Sequence, residues 1–133
     1  MTLEELLTAD EGRVLAGADL QPAPDPAEVA AAARGAAWRF VHLDTSTAGD
    51  KATALGLAQA AFGLPEWFGR NWDALADALS DVTDDGGVLV LWSGVVPLRS
   101  ADPATAAALL DVLTDRAADR DPRGGGPFCV VVT

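Results

Sequence analysis

Two short apolar runs dominate the hydrophobic pattern of this chain: Val88-Leu89-Val90-Leu91-Trp92 and Phe128-Cys129-Val130-Val131-Val132. Each is continuous rather than alternating, bounded by turn residues and too short for an ordinary helix, so each reads as a strand buried on both faces. A third run, Ala37 to Leu43, alternates at first and then turns apolar, as a strand feeding a largely covered sheet would. Helical spacing fills the intervals. Asp50 to Phe62, stopped by Gly63-Leu64-Pro65, points Leu55, Leu57, Ala58 and Phe62 toward the core, and a second helix runs from Trp72 to Val82 into the turn Asp84-Asp85-Gly86-Gly87. The longest helix starts at Asp102-Pro103 and runs to about Ala118, with Leu109, Leu110, Leu113 and Ala117 inward. Its aspartate-proline start recurs at Asp25-Pro26, which opens a short alanine-rich helix over Ala27 to Arg34 that Gly35 ends. Val95 to Ser100 reads as irregular, and Arg123-Gly124-Gly125-Gly126-Pro127 as a break before the last strand.

Strand, helices, strand, helix, strand predicts an α/β domain on a small three-stranded parallel sheet with right-handed crossovers and helices packed on it. Upstream, Met1 to Leu20 carries a Leu-Glu-Glu-Leu-Leu pattern and Arg13-Val14-Leu15, which predicts an extra N-terminal edge element. The prolines between Gln21 and Pro26 interrupt helix and sheet alike. The expected organisation is an N-terminal extension and proline-rich linker over residues 1–25 and one domain over 26–133. A length of 133 residues, half of them hydrophobic, supplies one core and not two.

The helix from Trp72 carries two stripes. Trp72, Leu75, Leu79 and Val82 recur at spacings of three and four and form an apolar face, with Asn71 as the cap. Asp73, Asp77 and Asp81 recur every fourth residue as a row of carboxylates. Like charges at that spacing repel by roughly 0.2–0.5 kcal/mol per pair, so helix stability alone would not select them. Asp73 gains from the positive pole of the helix dipole, whereas Asp81 faces the negative pole, with only Arg70 upstream as a local counter-charge.

Charge narrows the function. A net charge of -11 excludes direct binding to a phosphate backbone, which needs a basic surface, and suits either plain solubility or a basic protein partner steered in from a distance. One cysteine leaves no intrachain disulfide to form, the N-terminal residues lack the pattern of a secretion signal, and no run reaches the roughly 18 apolar residues of a membrane span. A cytoplasmic protein is expected, without membrane attachment. Catalysis lacks material: His42, the only histidine, lies within a strand, and Cys129 within an apolar one with no basic cluster beside it. Asp81, Asp84 and Asp85 lack the ligand spacing of a calcium loop, and Gly124-Gly125-Gly126 is followed by no helix start or lysine that would make it a phosphate cradle. No metal or cofactor is expected, and Trp38, Trp72 and Trp92 read as packing residues.

Leu64-Pro65-Glu66-Trp67-Phe68-Gly69-Arg70-Asn71-Trp72-Asp73-Ala74-Leu75, followed by Asp77 and Leu79, matches a longer signature in type and spacing. It resembles that of the barstar family of ribonuclease inhibitors: leucine-proline, an acid, two aromatics, glycine, any residue, asparagine, an apolar residue, aspartate-alanine-leucine, and a second aspartate four positions after the first. The resemblance extends more loosely from about Ala37 to the C-terminus. It implies a non-enzymatic, antitoxin-like immunity protein, monomeric before complex formation, that lays an acidic helix and its preceding loop over the active site of a basic ribonuclease. On that resemblance Asp77 matches the principal carboxylate and Asp73 its neighbour one turn earlier. Trp67 matches a loop aromatic, with tryptophan in place of tyrosine, and Asp115 a further acidic contact. Gly69 and Asn71 set the loop geometry, and Asp81 adds a carboxylate at the rim. Ala76 departs from the pattern, standing where the family often has a large aromatic. The rival expectation is a barstar-like scaffold or oligomeric regulatory module that binds another basic protein.

Overall fold

Parallel strands expose apolar side chains on both faces, and the chain covers both. The computed structural model describes residues 1–65, 68–119 and 125–133. Strands β1 (Arg13–Ala16), β2 (Arg39–Asp44), β3 (Val88–Ser93) and β4 (Phe128–Val132) form one parallel sheet in the order β1-β4-β3-β2. Its register sets Val14 beside Val130, Val130 beside Val90, and Val90 beside Val41. The sheet therefore has four strands and not the expected three, because the N-terminal edge element pairs fully with β4. Its apolar signal is weak for a physical reason: on an edge strand Val14 and Leu15 are only half-buried, and Arg13 and Ala16 are exposed.

The front face buries Val41, Leu43, Val88, Val90, Trp92, Phe128 and Val130 under α3 (Lys51–Phe62), α4 (Trp72–Ser80), α5 (Val95–Ala101) and α6 (Pro103–Ala118). The back face buries Leu89, Leu91, Cys129 and Val131 under the N-terminal third of the chain, where α1 (Leu3–Leu6) and α2 (Pro26–Gly35) bring Leu6, Leu7, Val29 and Ala33 together with Leu20 and Trp38. Burial on both sides is why β3 and β4 read as unbroken apolar runs.

Helix boundaries follow local chemistry. Asp25, Asp50 and Asp102 each accept a first-turn backbone N–H, at 3.3, 2.8 and 3.2 Å. Gly63, with φ +65°, ends α3 in the left-handed conformation that favours glycine. One expectation fails. Val95–Ala101 is a helix, not an irregular segment: Pro97 falls in its first turn, where a missing N–H costs nothing, and Gly94 at φ +80° turns the chain into it. Asp102 ends α5 and caps α6. Inside, the buried hydroxyl of Thr45 accepts the Trp92 indole N–H at 2.8 Å and donates to the Gly94 carbonyl at 3.0 Å, so both polar groups are satisfied. Arg123 and Gly124 of the predicted break lie outside the described residues. Among the described residues, no helix is long and apolar enough to cross a membrane.

A chain beginning at Trp38 leaves Leu89, Leu91 and Val131 without most of their cover, losing Leu6, Leu7, Leu20, Val29 and Ala33. At roughly 1.5–3 kcal/mol for each fully buried side chain, against a total stability of about 5–15 kcal/mol, it should lose its cooperative urea transition and bind a hydrophobic dye. A sharp transition like that of the whole chain would show the back layer to be dispensable.

Acid should destabilise the fold in a way that two residues report. Asp44 accepts the Ser46 N–H at 2.9 Å and Asp50 the Thr53 N–H, and these bonds hold both carboxyls below their ordinary 3.8. Their charged forms favour the folded state, so their contribution is present above pH 3.8 and lost as pH falls through the lowered values. Urea midpoints taken from about pH 6 to about pH 3 should fall less steeply for Asp44→Asn and Asp50→Asn than for the unaltered chain; parallel curves would exclude the linkage.

Candidate interaction surface

Helix α4 keeps one side in the core and the other in water. Leu75 and Leu79 are fully buried. At about 100° per residue, the exposed Asp73, Ala76, Asp77 and Ser80 fall within one sector of about 100°. Whatever covers the two aspartates must cover Ala76 and Ser80 as well.

The start of the helix is fixed by the loop before it. Asn71 accepts the Ala74 N–H through Oδ1 at 2.8 Å and donates from Nδ2 to the Gly69 carbonyl at 3.3 Å, so one side chain joins the exposed loop glycine to the first turn. Buried Phe68 anchors the loop, its N–H bonded to the Pro65 carbonyl at 2.9 Å. Gln59 on α3 donates to the same carbonyl at 3.0 Å and accepts from Arg70 Nε at 3.1 Å. Arg70 adopts φ +45°, a conformation that is costly for a side chain with a Cβ, immediately before the cap. Trp72 is half-buried, with Lys51 Nζ 5.9 Å from the ring centroid. Trp67 lies outside the described residues.

The other end differs from expectation. The helix stops at Ser80, and Asp81 is its C-cap rather than a member of its last turn, so only Asp73 and Asp77 of the aspartate row lie on the helix proper. Nor is Arg70 the cation at this end. Arg116, buried on α6, donates from Nε to the Leu79 carbonyl at 2.8 Å and from Nη2 to the Val82 carbonyl at 3.0 Å, with its guanidinium 4.7 Å from the centre of the Phe128 ring. It neutralises carbonyls at the negative pole of α4. Reading the sequence missed this residue, although its place on the inner stripe of α6, after Leu109 and Leu113, was the available signal.

Two grooves flank the helix. One, of about 520 Å³, runs between α4 and residues 63–65 and 68–69, with Phe62, Phe68 and Val82 in its walls and Arg39, Asp77 and Asp81 among its polar groups. The other, of about 450 Å³, runs between α4 and α6 and brings Ala76 and Ser80 beside Val112 and Asp115. The structure thus groups Asp73, Ala76, Asp77 and Asp115 on one side of the molecule. The carboxylates of Asp73, Asp77 and Asp115 are exposed and make no hydrogen bond among the described residues.

The remaining reactive groups lie elsewhere. His42 is exposed on β2, with Nε2 3.0 Å from Ser93 Oγ. Cys129 is buried on the back face, where burial pushes its thiol pKa up, and its Sγ is 3.8 Å from the Glu11 carbonyl. Asp84 serves the turn before β3, accepting the Gly86 N–H at 3.0 Å.

A family model described as barstar (barnase inhibitor) matches residues 38–133. No curated protein matches the chain. The matched span contains α4, both grooves and three of the four strands; β1, α1 and α2 lie upstream of it.

Removing the cap tests how α4 is set. Asn71→Ala should lower unfolding free energy by about 1 kcal/mol, while Asn71→Asp, which can still accept the Ala74 N–H, should stay within about 0.5 kcal/mol of the unaltered chain in urea titrations. Equal losses would mean that the side chain acts otherwise than as a cap.

Proposed function

The chain belongs to the barstar (barnase inhibitor) family, and from that premise we propose that it is a non-enzymatic, cytoplasmic inhibitor of a basic ribonuclease, which it blocks with α4 and the loop before it. One observation carries the reading: within the matched span, α4 presents Asp73 and Asp77 to solvent on a ridge between two grooves.

The chemistry is substitution without reaction. A ribonuclease grips phosphate with arginine, lysine and histidine and uses the same cations to stabilise charge in its transition state. Carboxylates at those positions satisfy the cations through charge-assisted hydrogen bonds and offer no ester to cleave. A net charge of -11 draws a basic enzyme in from a distance, and salt weakens that pull. In this reading Asp77 enters the phosphate site and Asp73 supports it from the preceding turn. Trp67 and the backbone at Gly69 supply the loop contact, Asn71 holds the loop, Asp115 adds a carboxylate across the Ala76 groove, and Asp81 lies at the rim. Ala76 leaves that groove open, which favours a target whose own side chain fills it. Residues 26–133 form the inhibitor domain and residues 1–25 extend its sheet.

Purified protein should quench RNA cleavage by barnase, or by a basic ribonuclease it captures from extract, in one-to-one stoichiometry, burying about 1,600 Å² in total. Asp77→Ala should raise Kd at least tenfold more than Asp81→Ala, and Kd should rise with salt. Equal effects at the two positions would remove the site assignment; capture of a basic protein with no quenching of any ribonuclease would remove the function.

A further inference from the structure

We infer that Arg116 is a positioning residue: it locks α4 to α6 so that Asp73 and Asp77 on one helix and Asp115 on the other act as a single rigid surface. The inference rests on the functional reading of α4 given above.

Adjacent residues of α6 both border the groove toward α4 but differ in burial. Asp115 is exposed beside Ala76 in the groove between the helices, whereas Arg116 is 7% exposed and turned beneath the end of α4. Among the described residues, short bonds run from Arg116 to the carbonyls of Leu79 and Val82, which are 37 and 34 residues away in the chain, and a longer one of 3.5 Å to the carbonyl of Asp119. The ring of Phe128 on β4 lies against the guanidinium, so helix α4, helix α6 and the sheet meet at one side chain. A buried cation is stable only when its donors are satisfied, and carbonyl oxygens carry two lone pairs, so the Leu79 carbonyl accepts the Val82 N–H at 3.0 Å as well as Arg116 Nε, while the Val82 carbonyl just past the C-cap accepts Nη2. The planar fork of a guanidinium also reaches two carbonyls at once, which an ammonium on a flexible stem cannot do in the same geometry. The spacing between the carboxylates of α4 and Asp115 is therefore set by a bond pair behind them.

The test uses the full chain with three substitutions. Arg116→Met keeps a long side chain but no donors, Arg116→Lys keeps the charge without the fork, and Leu109→Ala destabilises α6 from the core without touching α4's carbonyls. In amide hydrogen exchange, Arg116→Met should speed exchange in α4 at least tenfold more than in β3 and β4, Arg116→Lys should fall between it and the unaltered chain, and Leu109→Ala should speed helix and strands alike. Against barnase, Arg116→Met should raise Kd at least tenfold through faster dissociation, while Leu109→Ala, measured where it remains folded, should stay within twofold. If Arg116→Met does not fold, Arg116→Lys carries both comparisons. Exchange that rises equally in α4 and the strands, or binding that matches Leu109→Ala, would overturn the inference. If the unaltered protein leaves barnase uninhibited, the functional reading loses its first probe, and the exchange comparison still decides whether Arg116 holds α4.

Discussion

Both faces of a parallel sheet must be kept from water, and in this protein the two faces are covered by different parts of the chain. The front is closed by four helices that fall within the family match, and the back mostly by residues that precede it, with Trp38 at its first position. Because β3 and β4 are apolar on both sides, neither cover is optional. Front-face burial also fixes the orientation of α4. With Leu75 and Leu79 seated in the core, helical geometry leaves Asp73, Ala76, Asp77 and Ser80 no direction but outward.

That outward row of acids would weaken an isolated helix. Asp73 and Asp77 repel each other, and the C-terminal half of the helix offers no dipole compensation for negative charge. The fold answers at the two ends rather than along the row. Asn71 takes up a first-turn N–H, and Arg116 reaches from another element to hold the carbonyls of Leu79 and Val82. Asp81 illustrates the division: as a C-cap it lies beyond the helix proper, close in sequence to the carbonyls that the guanidinium binds.

Sequence pattern resolved the elements whose burial is uniform and misread those whose environment is mixed. The runs around Leu89 and Val130 announced central strands because both faces are dry, and Asp25, Asp50 and Asp102 announced helix starts because capping is a local interaction. Strand β1 gave little signal because an edge strand is half wet, and α5 gave none because Gly94 and Pro97 look like breakers when their positions in the turn are unknown. The exposed positions of Asp73 and Asp77 were legible from periodicity. The proximity of Asp115 to Ala76 was not, since it depends on how α6 packs across α4. Arg116 was hidden for a related reason: residue type argues for the surface, and only its distant carbonyl partners explain its burial.

Under the proposed function, preorganisation connects these features to inhibition. A protein that mimics a phosphate ester must overcome the entropy of ordering its own contact groups, about 0.5–1.5 kcal/mol for each flexible side chain that is immobilised. Aspartate is short, so Asp73 and Asp77 lose less on binding than glutamates at the same positions would. The larger cost would come from ordering a mobile helix and loop. Here the loop is tied to α3 through Gln59, the helix start to the loop through Asn71, and the helix end to α6 and the sheet through Arg116. Under that reading, the groups on α4 left to order on encounter are short carboxylates, so the attraction between opposite charges can appear as affinity instead of being spent on folding the helix.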